Sequence, residues 1–241
     1  MSASFDKYDK LGAYHWKECD RRYANYLTYN PPLVARYQIV VDTFQRLGGG
    51  KNVLDVGCGD GYLMAQLARY ATRVVGVEPE SKAVAIARAQ LKAAPNCEVI
   101  EGSCYKLPLP DRSFDCVTST DVIEHLTEPK AYLSEISRVL NPAGVVILTT
   151  PRRLPDRPVD VYHVTEFRPD ELTALLRGFF DDVQLAFYWP IFWTRIYGTR
   201  LGWRFLKLLA IQLHNPFLER QGTSPEKFTQ ILAVFRNSRR N

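Results

Sequence analysis

The sequence predicts an α/β fold built on a mostly parallel, doubly wound sheet of seven strands. Short runs rich in valine and isoleucine alternate with helical patterns from Lys51 to Pro151, which is typical of βαβ units with right-handed crossovers. A glycine-rich turn follows the first of these runs. After Pro151 the alternation stops, and two late strands with a long connection between them favour antiparallel pairing at one edge of the sheet.

Composition favours one large domain with additions. The chain has 241 residues, of which 46% are hydrophobic, and five cysteines without CxxC spacing, so neither a disulfide framework nor a zinc site is indicated. No apolar stretch is typical of a signal peptide or a membrane span, and we therefore expect a cytoplasmic protein. The net charge of +5 comes from the segment after residue 190, where basic residues strongly outnumber acidic ones.

The N-terminal segment 1–47 is expected to form a helical lid. It is rich in tyrosine and shows weak helical periodicity before Pro31 and Pro32, which open a helix whose apolar residues follow the helical spacing until three consecutive glycines. Segment 48–241 forms the main domain, with a helical insert at about 189–225.

The remaining elements follow from the periods of 3.6 and 2 residues in the hydrophobic pattern. After the first strand, which ends before Gly57, the pattern predicts further strands at 73–78, 97–101, 115–120, 144–150, 183–188 and 228–236. It predicts helices at 62–70, from 81 to before 95, and at 129–140, 169–177 and 200–214.

The turn after the first strand is the strongest sign of a ligand site. Gly57, Gly59 and Gly61 precede a predicted helix, so we expect unpaired N–H groups of the turn to face the ligand. A dinucleotide turn has the spacing G-x-G-x-x-G, whereas here the third glycine comes one residue early. Carboxylates at Asp55 and Asp60 disfavour a pyrophosphate and suit the ammonium and sulfonium groups of S-adenosylmethionine.

Polar residues also follow the other predicted strands. Glu78 ends the second strand, where a carboxylate can accept hydrogen bonds from both hydroxyls of a ribose. Ser103 and the backbone N–H of Cys104 follow the third strand and can meet the edge of an adenine. The fourth strand leads into a predicted helical turn with three polar residues at i, i+3 and i+4, which we expect to share one face: Asp121, Glu124 and His125.

With these residues in place, the chain resembles the class I S-adenosylmethionine-dependent methyltransferases, a group that includes ubiquinone-biosynthesis and natural-product O-methyltransferases. The blocks that carry the resemblance are VLDVGCGDGYL, VVGVEPES, PLPDRSFDCVTSTDVIEHL, NPAGVVILTTP and FRPDELTALLRGFF. The resemblance implies a Rossmann-like fold and S-adenosylmethionine as the cofactor. It also implies the cofactor-binding residues, which are Asp55, Gly57, Gly59, Gly61, Glu78, Pro79, Ser103, Cys104 and Thr120.

One position departs from the family pattern. Members often carry an aspartate where this chain has Ser103, so adenine recognition is expected to depend on the Cys104 backbone and on apolar packing.

The cofactor that the resemblance implies sets the chemistry that the chain must perform. A methyl group on a sulfonium is already activated, so alignment with the nucleophile supplies most of the rate. An acceptor hydroxyl must also lose a proton, and His163 and His125 lie in loops after strands at the predicted binding edge, where either can act as the base. We expect His15 to belong to a surface aromatic cluster.

Three functions are compatible with these residues. The first is S-adenosylmethionine-dependent methylation of a small-molecule, sugar or lipid-like acceptor, on an oxygen in preference to a nitrogen or a carbon. The second is metal-dependent RNA 2′-O-methylation, because four residues resemble the ligand set of small-RNA methyltransferases: Asp121, Glu124, His125 and His163. No RNA-binding module is visible, so we expect no nucleic-acid partner. The same turn occurs in metal-independent members of the resembling group, so we assign no metal ligands, and binding of a divalent ion at these four residues stays open. The third is a non-catalytic nucleotide-binding module.

The segment from Trp189 to Leu218 is expected to contact the acceptor. Read as a helix, it places Arg200, Arg204 and Lys207 on one narrow stripe and apolar residues elsewhere. Such a helix either packs as a lid over the cleft or lies in a membrane interface with its cations near anionic lipids. Both alternatives stay open at this point.

Overall fold

The computed structural model describes residues 7–20, 26–155, 160, 162–221 and 224–237. The strands are β1 (Gly50–Val56), β2 (Ala71–Glu78), β3 (Cys97–Glu101), β4 (Phe114–Thr120), β5 (Leu140–Pro151), β6 (Asp181–Pro190), β7 (Arg220–Gln221) and β8 (Phe228–Arg236). The helices are α1 (Lys7–Leu11), α2 (Tyr14–Cys19), α3 (Pro31–Arg46), α4 (Tyr62–Leu67), α5 (Ser81–Gln90), α6 (Pro129–Val139), α7 (Pro169–Arg177), α8 (Ile191–Tyr197) and α9 (Arg200–Gln212).

The strands form one sheet in the order β3-β2-β1-β4-β5-β8-β6-β7. The first five strands pair in parallel, and β8 pairs antiparallel with both β5 and β6. The predicted Rossmann-like, mostly parallel sheet of seven strands is confirmed, and β7 adds only a two-residue pairing at the edge. The last strand lies between β5 and β6, because the long connection through α8 and α9 brings the chain back to that position.

Two hydrophobic clusters cover the two faces of the sheet. Successive residues of a strand point to opposite faces, so Val53 of β1 lies in one cluster and Leu54 in the other. Both residues are fully buried, as expected for a parallel strand covered on both sides. Helix α3 packs on the Val53 side through Ile39, Val40 and Phe44, each with no exposed surface.

The segment after β6 differs from the sequence prediction in one residue. Arg200 and Arg204 are exposed on α9, but Lys207 turns inward and donates to the backbone oxygens of Tyr26 and Leu27, the latter at 2.5 Å. The three residues are on one helix as predicted, but Lys207 is buried, so only Arg200 and Arg204 present cations at the surface. The long lysine stem can be buried because its ammonium finds carbonyl oxygens. Across the described ranges, no helix has the length and apolar character needed to cross a membrane.

Candidate functional site

The glycine-rich turn between β1 and α4 has a backbone that side chains would disturb. Gly57 and Gly59 have φ values of 75° and 54°, in the left-handed region that favours glycine. A Cβ atom on Gly57 would lie 2.5 Å from Cγ2 of Val122, and one on Gly59 would collide with the Tyr8 hydroxyl. The turn therefore approaches its neighbours more closely than any other residue type permits.

The N–H groups of this turn have partners within the fold. Those of Gly57 and Cys58 donate to the Val77 oxygen at 2.8 and 3.3 Å, and that of Gly59 donates to Oε2 of Glu78 at 3.0 Å. For these three groups the expectation that unpaired N–H groups of the turn face the ligand is wrong, because this part of the turn folds back onto the end of β2. A phosphate would meet a carboxylate here instead of these three donors, which argues against a pyrophosphate ligand.

Glu78 lies at the carboxyl end of β2 and holds the turn in place. Its second oxygen, Oε1, accepts from the N–H of Glu80 at 3.1 Å. Burial raises the pKa of this carboxyl group, and the two backbone N–H groups oppose that rise. Each carboxylate oxygen has a further lone pair, so Glu78 can still accept from hydroxyl groups of a ligand. Pro79, which follows, is exposed.

Asp55 is buried near the end of β1, with 2% of its surface exposed. Its Oδ1 accepts from the Thr118 hydroxyl at 2.8 Å. Burial raises the pKa of Asp55 to about 7, with Glu78 adding to the rise and the Thr118 hydrogen bond opposing it. A cation placed beside Asp55 would favour the ionised form of this carboxyl group at neutral pH.

Helices α1 and α2 lie over the same turn. The backbone N–H and Nδ1 of His15 contact the carboxylate of Asp60 at 3.1 and 3.0 Å, and the Trp16 indole donates to the Asp60 backbone oxygen at 2.9 Å. The aromatic cluster predicted around His15 is present, but its expected place at the surface is wrong, because His15 is buried. Helix α2 and the glycine turn are joined through Asp60, and the Tyr8 hydroxyl of α1 lies beside Gly59.

The other predicted cofactor residues lie along the carboxyl ends of β3 and β4. The Ser103 hydroxyl accepts from the Tyr105 N–H at 3.2 Å in an exposed turn. Cys104 is half-buried against the apolar cluster on the β3 side. Thr120 ends β4, and its buried Oγ1 has no hydrogen-bond partner among the described residues.

The segment after β4 is not a regular helical turn. Asp121 has a φ of 52°, and only Ile123–His125 form a single 3₁₀ turn. The carboxylate of Asp121 pairs with Nη2 of Arg36 at 2.7 Å and accepts from Thr149 at 2.7 Å. The prediction that Asp121 shares one face with the acid and the imidazole that follow it is therefore wrong, because its backbone leaves the helical region.

The structure places His125 and His163 beside each other, with ring centroids 5.1 Å apart. Nδ1 of His163 lies 2.8 Å from Oε1 of Glu166, and Nδ1 of His125 lies 3.2 Å from the Tyr162 oxygen. Because both neighbours are hydrogen-bond acceptors, the hydrogen-bond network assigns the proton of each ring to Nδ1. Each Nε2 then carries a lone pair.

Glu124 lies next to this histidine pair and is fully buried. Its Oε2 accepts from the Thr150 hydroxyl at 3.0 Å, while Oε1 has no partner among the described residues. Burial, with the nearby charge of Asp121, raises the pKa of Glu124 well above its usual value. One ligand atom from each of Glu124, His125 and His163 lies within 4.8 Å of the others, so these three residues can hold a metal ion.

Sequence reasoning missed two residues of this region. Arg36 lies between the buried residues Ala35 and Tyr37 of α3. The sequence signal that could have identified it is a cation on the packed face of an amphipathic helix. Glu166 lies three residues after His163, but its contact with the imidazole depends on a loop conformation that no periodicity indicates.

The residues at this edge of the sheet fit S-adenosylmethionine. Glu78 has lone pairs that can accept from ribose hydroxyls, and the carboxyl groups of Asp55 and Asp60 at the same turn suit a ligand with a cationic end. The glycine turn has its first N–H groups occupied, which suits a cofactor without phosphate.

Comparison with known proteins gives concordant results. The family model described as "Methyltransferase domain" matches residues 54–148. A probable S-adenosylmethionine-dependent methyltransferase of Mycolicibacterium smegmatis is 37% identical over 146 residues, covering 58% of this chain and 56% of the relative. A mitochondrial ubiquinone biosynthesis O-methyltransferase of Arabidopsis thaliana is 37% identical over 107 residues, covering 43% of this chain and 33% of the relative.

The fold comparison agrees with the sequence comparison. The N-methyltransferase NodS of Bradyrhizobium japonicum, solved with S-adenosylhomocysteine, superposes with a TM-score of 0.62 at 17% identity and covers 96% of this chain and 98% of that one. At this identity the likeness shows the fold alone. The chain spans about half the length, or less, of the curated relatives described above.

Proposed function

Residues 54–148 form a methyltransferase domain of the class I S-adenosylmethionine-dependent type, and we propose that the whole chain methylates an oxygen of a small-molecule, sugar or lipid-like acceptor. The observation that carries the choice of oxygen is the contact between His163 and Glu166. A hydroxyl must lose its proton during methyl transfer, and this pair supplies a base at the carboxyl edge of the sheet.

The pair has the form of a carboxylate-oriented imidazole. Glu166 fixes the ring of His163 with the proton on Nδ1, which leaves Nε2 to accept the proton of the acceptor. The same carboxylate stabilises the imidazolium after the proton has moved. The ring of His125 lies beside that of His163. His125 is therefore a second candidate base, on the segment that follows β4.

The cofactor supplies an activated methyl group when bound. The chain's own residues bind it and exclude water from it: Glu78 accepts from the ribose hydroxyls, Asp55 stabilises the cationic end, and α1 and α2 cover the turn through Asp60. Ser103 and Cys104, which follow β3, would flank the adenine. Pro79 follows the carboxylate of Glu78, and Thr120 ends β4, so both would line the cofactor.

Metal-dependent methylation is the second candidate function. The ligand atoms of Glu124, His125 and His163 are close enough to share one ion, whereas Asp121 is already paired with Arg36. Such an ion would act as a Lewis acid on the acceptor oxygen and replace the base. We favour the metal-independent reaction, because the His163 and Glu166 pair accounts for proton removal without an ion.

Chelation separates the two candidates. With an acceptor panel of phenols, sugars and lipid-linked alcohols, methyl transfer from radiolabelled S-adenosylmethionine should survive an excess of EDTA. Loss of transfer in EDTA that Mg²⁺ or Mn²⁺ restores would replace the base mechanism with the metal mechanism.

The outer face of α9 supports a lipid-like acceptor or a peripheral membrane contact. Leu201, Phe205 and Leu208 lie on one exposed face, because steps of four and three residues return to the same side of a helix. Leu201 is 81% and Phe205 54% exposed, and Arg200 and Arg204 flank them. An apolar face beside two cations suits the interface of an anionic membrane.

A further inference from the structure

Polar residues end four neighbouring strands on the sheet face that packs against α3. Cys116, Ile147 and Leu232 belong to the apolar cluster of this face. Because residues two or four positions apart on a strand share a face, Thr120, Thr149 and Gln230 lie on it too, at the carboxyl edge, where Thr120 pairs with Thr149. Tyr188 pairs with Gln230 across β6 and β8 and belongs to the same cluster.

Arg36 lies over this row of polar residues. Its guanidinium pairs with Asp121 at 2.7 Å and lies 5.5 Å from the ring centre of Trp189. Asp121 and Trp189 both have positive φ, of 52° and 60°, which is uncommon for a non-glycine residue and an outlier for a bulky aromatic. Backbone strain of this kind clusters at ligand sites. Here the two strained residues, Asp121 and Trp189, both contact the guanidinium of Arg36.

Several buried polar atoms around Arg36 have no partner among the described residues. They include Nε of Arg36, Nε1 of Trp189, the Tyr188 hydroxyl and Oε1 of Gln230. Thr149 lies near the Tyr188 hydroxyl and opposes the rise in the Tyr188 pKa that burial causes, but the two hydroxyls do not meet the geometry of a hydrogen bond. Tyr188 and Gln230 are 0% and 2% exposed, so bulk water does not satisfy them.

These atoms define the chemistry of the missing partner. A guanidinium Nε and an indole nitrogen can only donate, so the group that satisfies both is an oxygen that accepts hydrogen bonds. The Tyr188 hydroxyl can donate to the same group. Asp121 already balances the charge of Arg36, so the partner can be a carboxylate or a neutral carbonyl.

We propose that Arg36, Tyr188 and Trp189 form the head-group pocket of the acceptor and take a planar carbonyl-type oxygen group, as in a carboxylate or a conjugated ketone, while Oε1 of Gln230 can accept from a neighbouring O–H or N–H of the same molecule. The proposal rests on the proposed function, because the pocket lies at the edge where Thr120 and Asp121 end β4. It adds a substrate class: the methylated oxygen belongs to a molecule that also carries such a group.

The indole N–H of Trp189 provides a readout that needs no methyl transfer. Protein labelled with ¹⁵N on its four tryptophans and saturated with S-adenosylhomocysteine is titrated with sodium benzoate and, separately, with benzamide. We expect a saturable downfield shift of the Trp189 indole proton at millimolar ligand. The Trp16 indole, which already donates to Asp60, should not move.

The two probes separate the two sources of the oxygen. A stronger response to benzoate indicates a carboxylate, and an equal response to both probes indicates a neutral carbonyl. No shift of Trp189 with either probe up to about 50 mM, far above a millimolar Kd, overturns the proposal. Binding of S-adenosylhomocysteine is measured separately by calorimetry, so failure of the cofactor assignment and failure of the pocket are distinct results.

A matched pair of variants tests the residues. Tyr188→Phe removes one donor and should weaken benzoate binding several-fold while leaving S-adenosylhomocysteine binding unchanged. Tyr132→Phe removes another buried hydroxyl without a described partner, from α6 on the opposite face, and should leave benzoate binding unchanged. Arg36→Lys keeps a cation beside Asp121 but removes the Nε donor, and it should weaken benzoate binding as well. Unchanged benzoate binding in both Tyr188→Phe and Arg36→Lys contradicts the proposal.

Discussion

Replacing Asp55 by asparagine should stabilise the cofactor-free protein and weaken its binding of S-adenosylmethionine. The asparagine side chain would keep an oxygen that accepts from the Thr118 hydroxyl, so the buried hydrogen bond survives. The substitution removes the buried carboxyl group of Asp55, whose pKa is raised to about 7, and with it the charge that this group acquires at higher pH. A pKa rise of about three units relative to the unfolded chain corresponds to about 4 kcal/mol of unfolding free energy above pH 7.

The sign of the pH dependence follows from proton binding. Between about pH 4 and pH 7 the folded state holds a proton on Asp55 that the unfolded state has lost, so the Asp55 contribution to stability falls as pH rises. The slope is about 1.4 kcal/mol per pH unit, and it disappears above the folded pKa. The asparagine amide has no proton to exchange in this range, so the stability difference between Asp55→Asn and wild type should grow as pH rises.

Urea unfolding of both proteins from pH 4 to pH 8 measures this difference directly. We expect equal stabilities near pH 4 and a more stable variant at pH 8. Cofactor binding should show the opposite order, because a bound cation favours the ionised carboxylate that the variant lacks. A variant that is less stable than wild type at pH 8, or a stability difference that does not change with pH, would refute this account of Asp55.

Three further predictions follow from other contacts. Glu78→Gln leaves one of two backbone N–H groups without an acceptor, which should cost about 1–3 kcal/mol of stability in urea unfolding and weaken cofactor binding in calorimetry. Glu101, at the end of β3, is exposed, and Glu101→Gln should change neither quantity. Glu166→Gln should lower kcat by about tenfold to a hundredfold with little change in KM, because the His163 imidazolium loses its carboxylate; a KM effect alone would contradict the assigned role. Phe205→Ser should reduce co-sedimentation with anionic vesicles at low salt, with Leu11→Ser on α1 as the control, and equal binding of both variants would remove α9 from the contact.

The parallel half of the fold was accessible from the sequence because its signals are local. The Val and Ile runs, the glycine turn after β1 and the proline pair that opens α3 each report on a few neighbouring residues, and the structure confirms the elements that they predict. The observed ends of the elements differ from the predicted ends by a few residues; β5, for example, begins at Leu140, whereas the sequence predicted a start at residue 144.

The site was less accessible because its contacts join distant segments. The N–H groups of the glycine turn are occupied by β2, which only the parallel register brings into reach. The pattern of Asp121, Glu124 and His125 looks helical, but Arg36 from α3 holds Asp121 in a left-handed conformation. Periodicity along one segment contains no information about a partner so far away in the sequence.

The most direct test of the account is calorimetric titration of the purified chain with S-adenosylmethionine, S-adenosylhomocysteine and NAD. We expect micromolar binding of the first two at one site per chain and no binding of NAD, because the first N–H groups of the glycine turn are occupied and carboxylates surround it. Binding of NAD, or no binding of either adenosyl compound, would contradict it.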